Sequence, residues 1–192
     1  MRGTILLANE GVNGTIASLG SSINLFKKEL KSLGFDNLEP KYSFHKYMPF
    51  NRLKIKIKKE IITFSHSKLD VEKNTAKYVE AKNWNKLIED KNTLIFDVRN
   101  DFEYQIGSFR NAINAKINNF SDIKEYIDHQ LISNKNKNIA MFCTGGIRCE
   151  KASAYLKHHG FKDVSQLHGG IIDYVRQLEQ DKSLTNKFEG KN

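Results

Sequence analysis

The run Asn138-Ile139-Ala140-Met141-Phe142 ends on Cys143-Thr144-Gly145-Gly146-Ile147-Arg148, and no other stretch of this 192-residue chain restricts its fold so tightly. The apolar run reads as a buried strand, and Glu150 to His159 reads as a helix closed by Gly160. Cys143 then stands at the end of a strand, where a short glycine loop leads into a helix N-terminus. Such a terminus offers unpaired backbone N–H groups and a partial positive charge, which together favour an anion. A cysteine there is expected to ionise readily. Gly145 and Gly146 allow successive N–H groups to turn inward, and Arg148 adds a fixed positive charge. A buried structural cysteine requires neither the glycine pair nor the arginine, so the reactive reading of Cys143 is preferred. Cys149, in the first helical turn, reads either as a small packed residue or as a resolving thiol.

The rest of the chain supplies the frame. Leu94 to Val98 is a continuous apolar run, as in a strand buried on both faces. With Ala81 to Ile88, Asp122 to Ile132, Val164 to Leu167 and Ile171 to Leu178 it makes strands alternate with helices, which implies an α/β domain with a parallel sheet covered on both faces. Ligands of such sheets bind at the carboxyl ends of the strands, where Cys143 is placed. Asp97 and Arg99 end the central strand on one face, and Glu103 follows. Asp97 and Arg99 read as an ion pair that fixes loops.

The first part of the chain differs in pattern. Thr4 to Ala8 and Val12 to Ala17 read as strands, and Ser21 or Ser22 caps a helix with Ile23, Phe26, Leu30 and Leu33 on one face. Leu53, Ile55 and Ile57 alternate with Lys54, Lys56 and Lys58, which predicts a half-buried strand with a lysine face. This β-β-α-β order matches the last four elements of a ferredoxin-like α+β sandwich, without its opening strand and helix. The boundaries expected are 1–64 for this partial domain, 65–75 for a linker, 76–181 for the α/β domain and 182–192 for a tail.

Charge bears on partners. The formal net charge is +9, and residues 1–75 hold 13 Lys and Arg against 7 Asp and Glu. Lys46, Arg52, Lys54, Lys56, Lys58 and Lys59 fall within 14 residues that contain no acid. Such a basic stretch suits a polyanion, although exposed lysines also serve solubility alone. No apolar run approaches a membrane span, no signal-peptide pattern opens the chain, and the two cysteines do not make a disulfide scaffold. A reduced cytoplasmic setting is expected. The histidines form no metal-ligand spacing with the cysteines, so no metal site is expected. Cys143 to Arg148 is Cys-x4-Arg, one residue shorter than the Cys-x5-Arg loop of cysteine phosphatases, and it suits a terminal sulfur better than a phosphate.

The loop, with Phe96-Asp97-Val98-Arg99-Asn100-Asp101-Phe102-Glu103-Tyr104 and Leu167-His168-Gly169-Gly170-Ile171, resembles a rhodanese domain. The form Cys-Thr-Gly-Gly-Ile-Arg-Cys-Glu-Lys-Ala-Ser is similar, more narrowly, to the TrhO family of bacterial rhodanese-domain proteins. The likeness extends through Leu7-Ala8-Asn9-Glu10-Gly11-Val12-Asn13-Gly14-Thr15 and Pro49-Phe50-Asn51-Arg52-Leu53-Lys54-Ile55-Lys56. The resemblance implies a rhodanese fold for 76–181 and an acylphosphatase-like fold for 1–64. It implies oxygen-dependent 5-hydroxylation of the wobble uridine of tRNA, with Cys143 catalytic, Thr144 to Arg148 as the active-site loop, Asp97, Arg99 and Glu103 organising the active-site side of the domain, and molecular oxygen as co-substrate. The partner implied is tRNA, with neither membrane nor DNA. No flavin or iron motif is visible. The family's longer N-terminus and cysteine-rich C-terminal region have no counterpart here, so a truncated form is expected.

Two other readings use the same residues. In one, Cys143 carries sulfur as a persulfide and transfers it to an acceptor. In the other, the chain is a non-catalytic rhodanese-like binding module. The product separates them: 5-hydroxyuridine in tRNA, thiocyanate or a thiolated base, or none. Lys46, Arg52, Lys54, Lys56 and Lys58 are the residues expected to contact RNA.

Overall fold

The computed structural model describes residues 1–36, 38, 40–65 and 69–190; residues 66–68 of the expected linker and 191–192 of the expected tail lie outside the described residues. The chain divides into two compact units, Met1–Ile61 and Ile62–Asn192.

The first unit has the expected β-β-α-β order. Strands β1 (Arg2–Ala8) and β2 (Gly11–Ala17) form an antiparallel hairpin, helix α1 (Gly20–Ser32) follows, and β3 (Leu53–Ile57) pairs parallel to β1. The sheet order is β2-β1-β3, so the sheet is mixed and β3 is an edge. Two expectations need correction. Neither Ser21 nor Ser22 caps α1, which begins after Leu19 with no side-chain cap. Strand β3 is not half-buried: Leu53, Ile55 and Ile57 are 41%, 60% and 88% exposed. Alternation marks which side chains share a face, but burial needs an element laid over that face. At the edge position both faces of β3 remain in solvent. Leu33, which shares the apolar face with Ile23, Phe26 and Leu30, is the C-cap of α1 and is 72% exposed.

The second unit is a parallel sheet in the order β4-β9-β8-β5-β7. Its strands are β4 (Lys77–Val79), β5 (Thr93–Asp97), β7 (Ile113–Asn114), β8 (Asn138–Phe142) and β9 (Val164–Leu167). Helices α3 (Ala81–Glu89), α6 (Ile147–His158) and α7 (Gly170–Gln180) are the long ones. A short α4 (Asp101–Ile106) leads into β6 (Gly107–Phe109), and α5 (Ile123–Tyr126) lies within an irregular helical stretch from Phe120 to Asn134. Alternation along the strands sorts two cores. Phe96, Ile139, Met141 and Cys143 face one side, with Ile123, Ile127 and Leu156. Ile95, Ala140 and Phe142 face the other, with Trp84, Phe109 and Tyr174. There the Phe109 ring meets Phe142 and Tyr174 edge-on, with centroids 4.8 and 5.0 Å apart. Burial on both faces explains why these strands read as unbroken apolar runs.

Two stretches read as irregular carry structure. Within 65–75 a helical turn, α2 (Val71–Asn74), is capped by the Asp70 carboxylate, which accepts from the Lys73 N–H. Within 182–192, β10 (Phe188–Gly190) pairs antiparallel with β6. That pair covers a buried ion pair. Arg99 donates to both Asp97 oxygens, at 2.9 and 2.6 Å, and to the Gly107 carbonyl at 2.6 Å, and Ser108 donates to Asp97. The guanidinium lies over the rings of Phe142 and Phe188. Each charge is thus paired and hydrogen-bonded; removing one partner of such a pair costs about 3–5 kcal/mol. Among the described residues, no helix is long and apolar enough to cross a membrane.

Candidate active site

Strand β8 delivers Cys143 to the carboxyl edge of the sheet, and α6 starts four residues later, at Ile147. The early start, three residues ahead of the expected one, is what lets the loop close under the cysteine. Gly146 takes φ +100, a backbone that L side chains rarely adopt, and its N–H donates to Cys143 Sγ at 3.1 Å. The Cys149 thiol donates to the same sulfur, while the Cys149 N–H donates to the Gly146 carbonyl at 3.0 Å and adds its dipole beside the sulfur. The side-chain hydrogen bond from Cys149 is the largest influence on Cys143. Burial works against ionisation, while the Arg148 charge and the two N–H groups assist it, and the Cys143 pKa falls to about 6. Burial, followed by that same hydrogen bond, pushes Cys149 well above the ordinary thiol value. The pair is therefore one thiolate and one thiol near neutral pH. Both are free and buried, with Cys143 only 1% exposed.

Arg148 does not point its fork at the sulfur. It donates through two nitrogens to Glu103, at 2.6 and 2.7 Å, and to Thr144 Oγ1 at 2.9 Å. Thr144 Oγ1 in turn donates to Glu103 at 2.6 Å. Burial penalises the Glu103 carboxylate, but the Arg148 and Thr144 hydrogen bonds outweigh it and hold its pKa at about 2. Glu103 also accepts from the Asn100 N–H, closing a capping box on α4. One carboxylate therefore ties the loop after β8 to the helix after β5.

A second support was not read from the sequence. The N-terminus of α7 lies against the loop, where the Ile171 and Ile172 N–H groups donate to the Cys143 and Thr144 carbonyls at 3.0 and 3.1 Å. Gly170 has φ +66, and a Cβ there would stand 2.5 Å from the Cys143 oxygen and 2.6 Å from the Thr144 oxygen. The signal was the Gly169-Gly170 pair, whose closeness to the loop depends on a contact between residues 27 apart in the chain.

The structure thus gathers Cys143, Thr144, Gly145, Gly146, Ile147, Arg148, Glu103 and Cys149 at one place. A Cβ at Gly145 would meet nothing within 4 Å, so the loop opens to free space there. Asp97 and Arg99 sit beneath as a pair with each other. Lys54 and Lys56 lie on β3, Lys58 just after it, and Lys46 and Arg52 before it, all exposed and all in the first unit. Glu80, His168 and Asp173 bring possible metal-ligand atoms within 4.8 Å of one another. Their partners are protein groups: Arg176 and Gln177 donate to Asp173, and His168 Nδ1 lies 2.8 Å from Glu80. This is a polar network that joins α7 to the residue before α3.

Comparison with known proteins agrees with this layout. Residues 1–61 match the UPF0176 acylphosphatase like domain, and residues 80–177 match the rhodanese-like domain. Two curated proteins named tRNA uridine(34) hydroxylase, from Legionella pneumophila strains Paris and Corby, are each 44% identical over the whole chain, which spans 74% of their length. Among solved structures, the rhodanese-like domain of an Anabaena sp. protein is 22% identical, with a TM-score of 0.47 over 61% of this chain and 81% of its own.

Gly170→Ala tests the buttress. The left-handed backbone alone costs a residue with a Cβ about 1–3 kcal/mol. At about 2–4 °C per kcal/mol for a chain of this size, the expected outcome is a melting temperature several degrees lower by calorimetry. An unchanged melting temperature counts against α7 as the support of the loop.

Proposed function

Because the chain belongs to the tRNA uridine(34) hydroxylase family, we propose that it hydroxylates the wobble uridine of tRNA at C5, consumes molecular oxygen, and uses Cys143 as its catalytic residue. The observation that supports this reading most is the Gly146 N–H, which donates to the Cys143 sulfur at 3.1 Å, with the Cys149 thiol and the Arg148 charge beside it. Donors and a positive charge gathered at one sulfur stabilise a thiolate, and a thiolate is the form of cysteine that attacks electrophiles. Thr144 to Arg148 form the loop that holds these donors. Glu103 is a positioning residue that acts through Arg148 and Thr144. Asp97 and Arg99 act one step further away, by fixing the end of β5. A tRNA substrate sets the work in the cytoplasm.

Lys54, Lys56 and Lys58 serve as backbone contacts to the RNA, with Arg52 and Lys46 beside them. Successive lysines on one strand face stand about 6–7 Å apart, close to the phosphate repeat of a nucleic-acid strand. Contacts of this kind add affinity without sequence choice.

Two experiments test the reading. Nucleoside mass spectrometry is run on tRNA from a deletion strain complemented with wild type or with Cys143→Ser. The expected outcome is 5-hydroxyuridine restored by wild type and absent with the serine variant, because an alcohol does not ionise near neutral pH. Restoration by the serine variant removes Cys143 from the chemistry. In the second, tRNA affinity is measured at several salt concentrations for wild type and for the triple Lys54→Gln, Lys56→Gln, Lys58→Gln variant. Each lost phosphate contact should flatten the log–log salt slope by about 0.7–0.9. Superimposed lines place the RNA surface elsewhere.

A further inference from the structure

The site contains a second sulfur, that of Cys149. Cys143 and Cys149 are the chain's two cysteines. Both are free, both are buried, and the thiol of one donates to the sulfur of the other. Two thiols in hydrogen-bond contact form a two-electron donor, since joining them as a disulfide releases two electrons and two protons. Hydroxylation by dioxygen has that same requirement. One oxygen atom enters the C5–H bond, and the other must be reduced to water by two electrons and two protons.

We propose that Cys149 is a second catalytic residue, and that the Cys143–Cys149 pair supplies these electrons and ends each turnover as a disulfide. The proposal rests on the hydroxylase reading above. The balance runs in two steps. First, the O–O bond breaks: one oxygen atom enters the uridine C5–H bond as a hydroxyl, and the Cys143 sulfur takes the other as a sulfenic acid. Uridine and Cys143 are each oxidised by two electrons, and dioxygen is reduced by four. Second, the Cys149 sulfur attacks the sulfenic sulfur. The S–O bond breaks, the S–S bond forms, and the hydroxide leaves as water with the Cys149 proton. In sum, dioxygen, uridine and two thiols give 5-hydroxyuridine, water and one disulfide, which an external dithiol then reduces.

The geometry suits each step. Cys143, the sulfur that accepts the Gly146 N–H at 3.1 Å, is the nucleophile that takes the oxygen atom. Cys149 remains a thiol and so retains the proton that the leaving hydroxide needs. Closing the contact to the ~2.05 Å of a disulfide needs movement of the loop between the two residues. Gly145 faces open space there, and Gly146 has no Cβ.

The test is a single-turnover experiment on the full chain, reduced, freed of reductant and mixed with tRNA in air. Products are 5-hydroxyuridine, by nucleoside mass spectrometry, and cysteine state, by peptide mass spectrometry. The expected result is one 5-hydroxyuridine per protein at most, one Cys143–Cys149 disulfide for each product formed, and repeated turnover once dithiothreitol is added. In Cys149→Ala, dimedone should trap Cys143 as the sulfenic acid. Formation of 5-hydroxyuridine with both wild-type thiols still reduced, or many turnovers without reductant, overturns the proposal and leaves the hydroxylase reading standing. No 5-hydroxyuridine in any arm, dithiothreitol included, overturns the hydroxylase reading and this proposal with it.

Discussion

Glu103 occupies the point on which the site turns. Its carboxylate receives two nitrogens of Arg148 and the hydroxyl of Thr144, while its own helix is closed by its bond to the Asn100 N–H. The loop after β8 is also held from the other side, where the Ile171 and Ile172 N–H groups donate to its first two carbonyls. A paired carboxylate and guanidinium in this half-buried place give it one geometry, because a bidentate fork has one good approach. With the loop so held, the Gly146 N–H and the Cys149 thiol meet at the Cys143 sulfur. The order of cause is from Glu103 through Arg148 and Thr144 to the backbone, and from the backbone to the thiolate.

Burial opposes both charges in this network. It raises the energy of the Glu103 carboxylate and of the Cys143 thiolate alike. In each case directed hydrogen bonds outweigh it, which is why the partners must be in place for either charge to exist. The linkage has a definite sign for Glu103. Its folded pKa, about 2, lies below the ordinary 4.5, so its contribution to stability is complete above 4.5 and is lost as pH falls toward 2. The network is intact throughout the range in which the Cys143 thiolate forms.

Much of this was legible in the sequence, for reasons that can be stated. The strand Asn138–Phe142 and the helix after it follow from an apolar run, a glycine pair and helical spacing, all local signals. Cys143 and Arg148 stood out because a packed cysteine needs neither glycines nor a charge beside it. The partner of Arg148 was less legible, since Glu103 lies 45 residues away and meets it only because β5 and β8 are neighbours in the sheet. Gly170 was hidden for the same reason. The misreading of β3 has another cause: the period of Leu53, Ile55 and Ile57 is local, whereas burial depends on which element covers the strand. The strand β10 gave no periodic signal at three residues, and its pairing with β6 is entirely a long-range contact.

The central claim is that the loop geometry, through its convergent donors, makes Cys143 a thiolate. The most direct measurement is the rate of Cys143 alkylation by iodoacetamide as a function of pH, followed by peptide mass spectrometry so that Cys149 is read separately. The account predicts a rate that rises through a midpoint near 6, with Cys149 unmodified over the same range. A midpoint near the ordinary thiol value of 9.0, or equal reaction of the two cysteines, would contradict it.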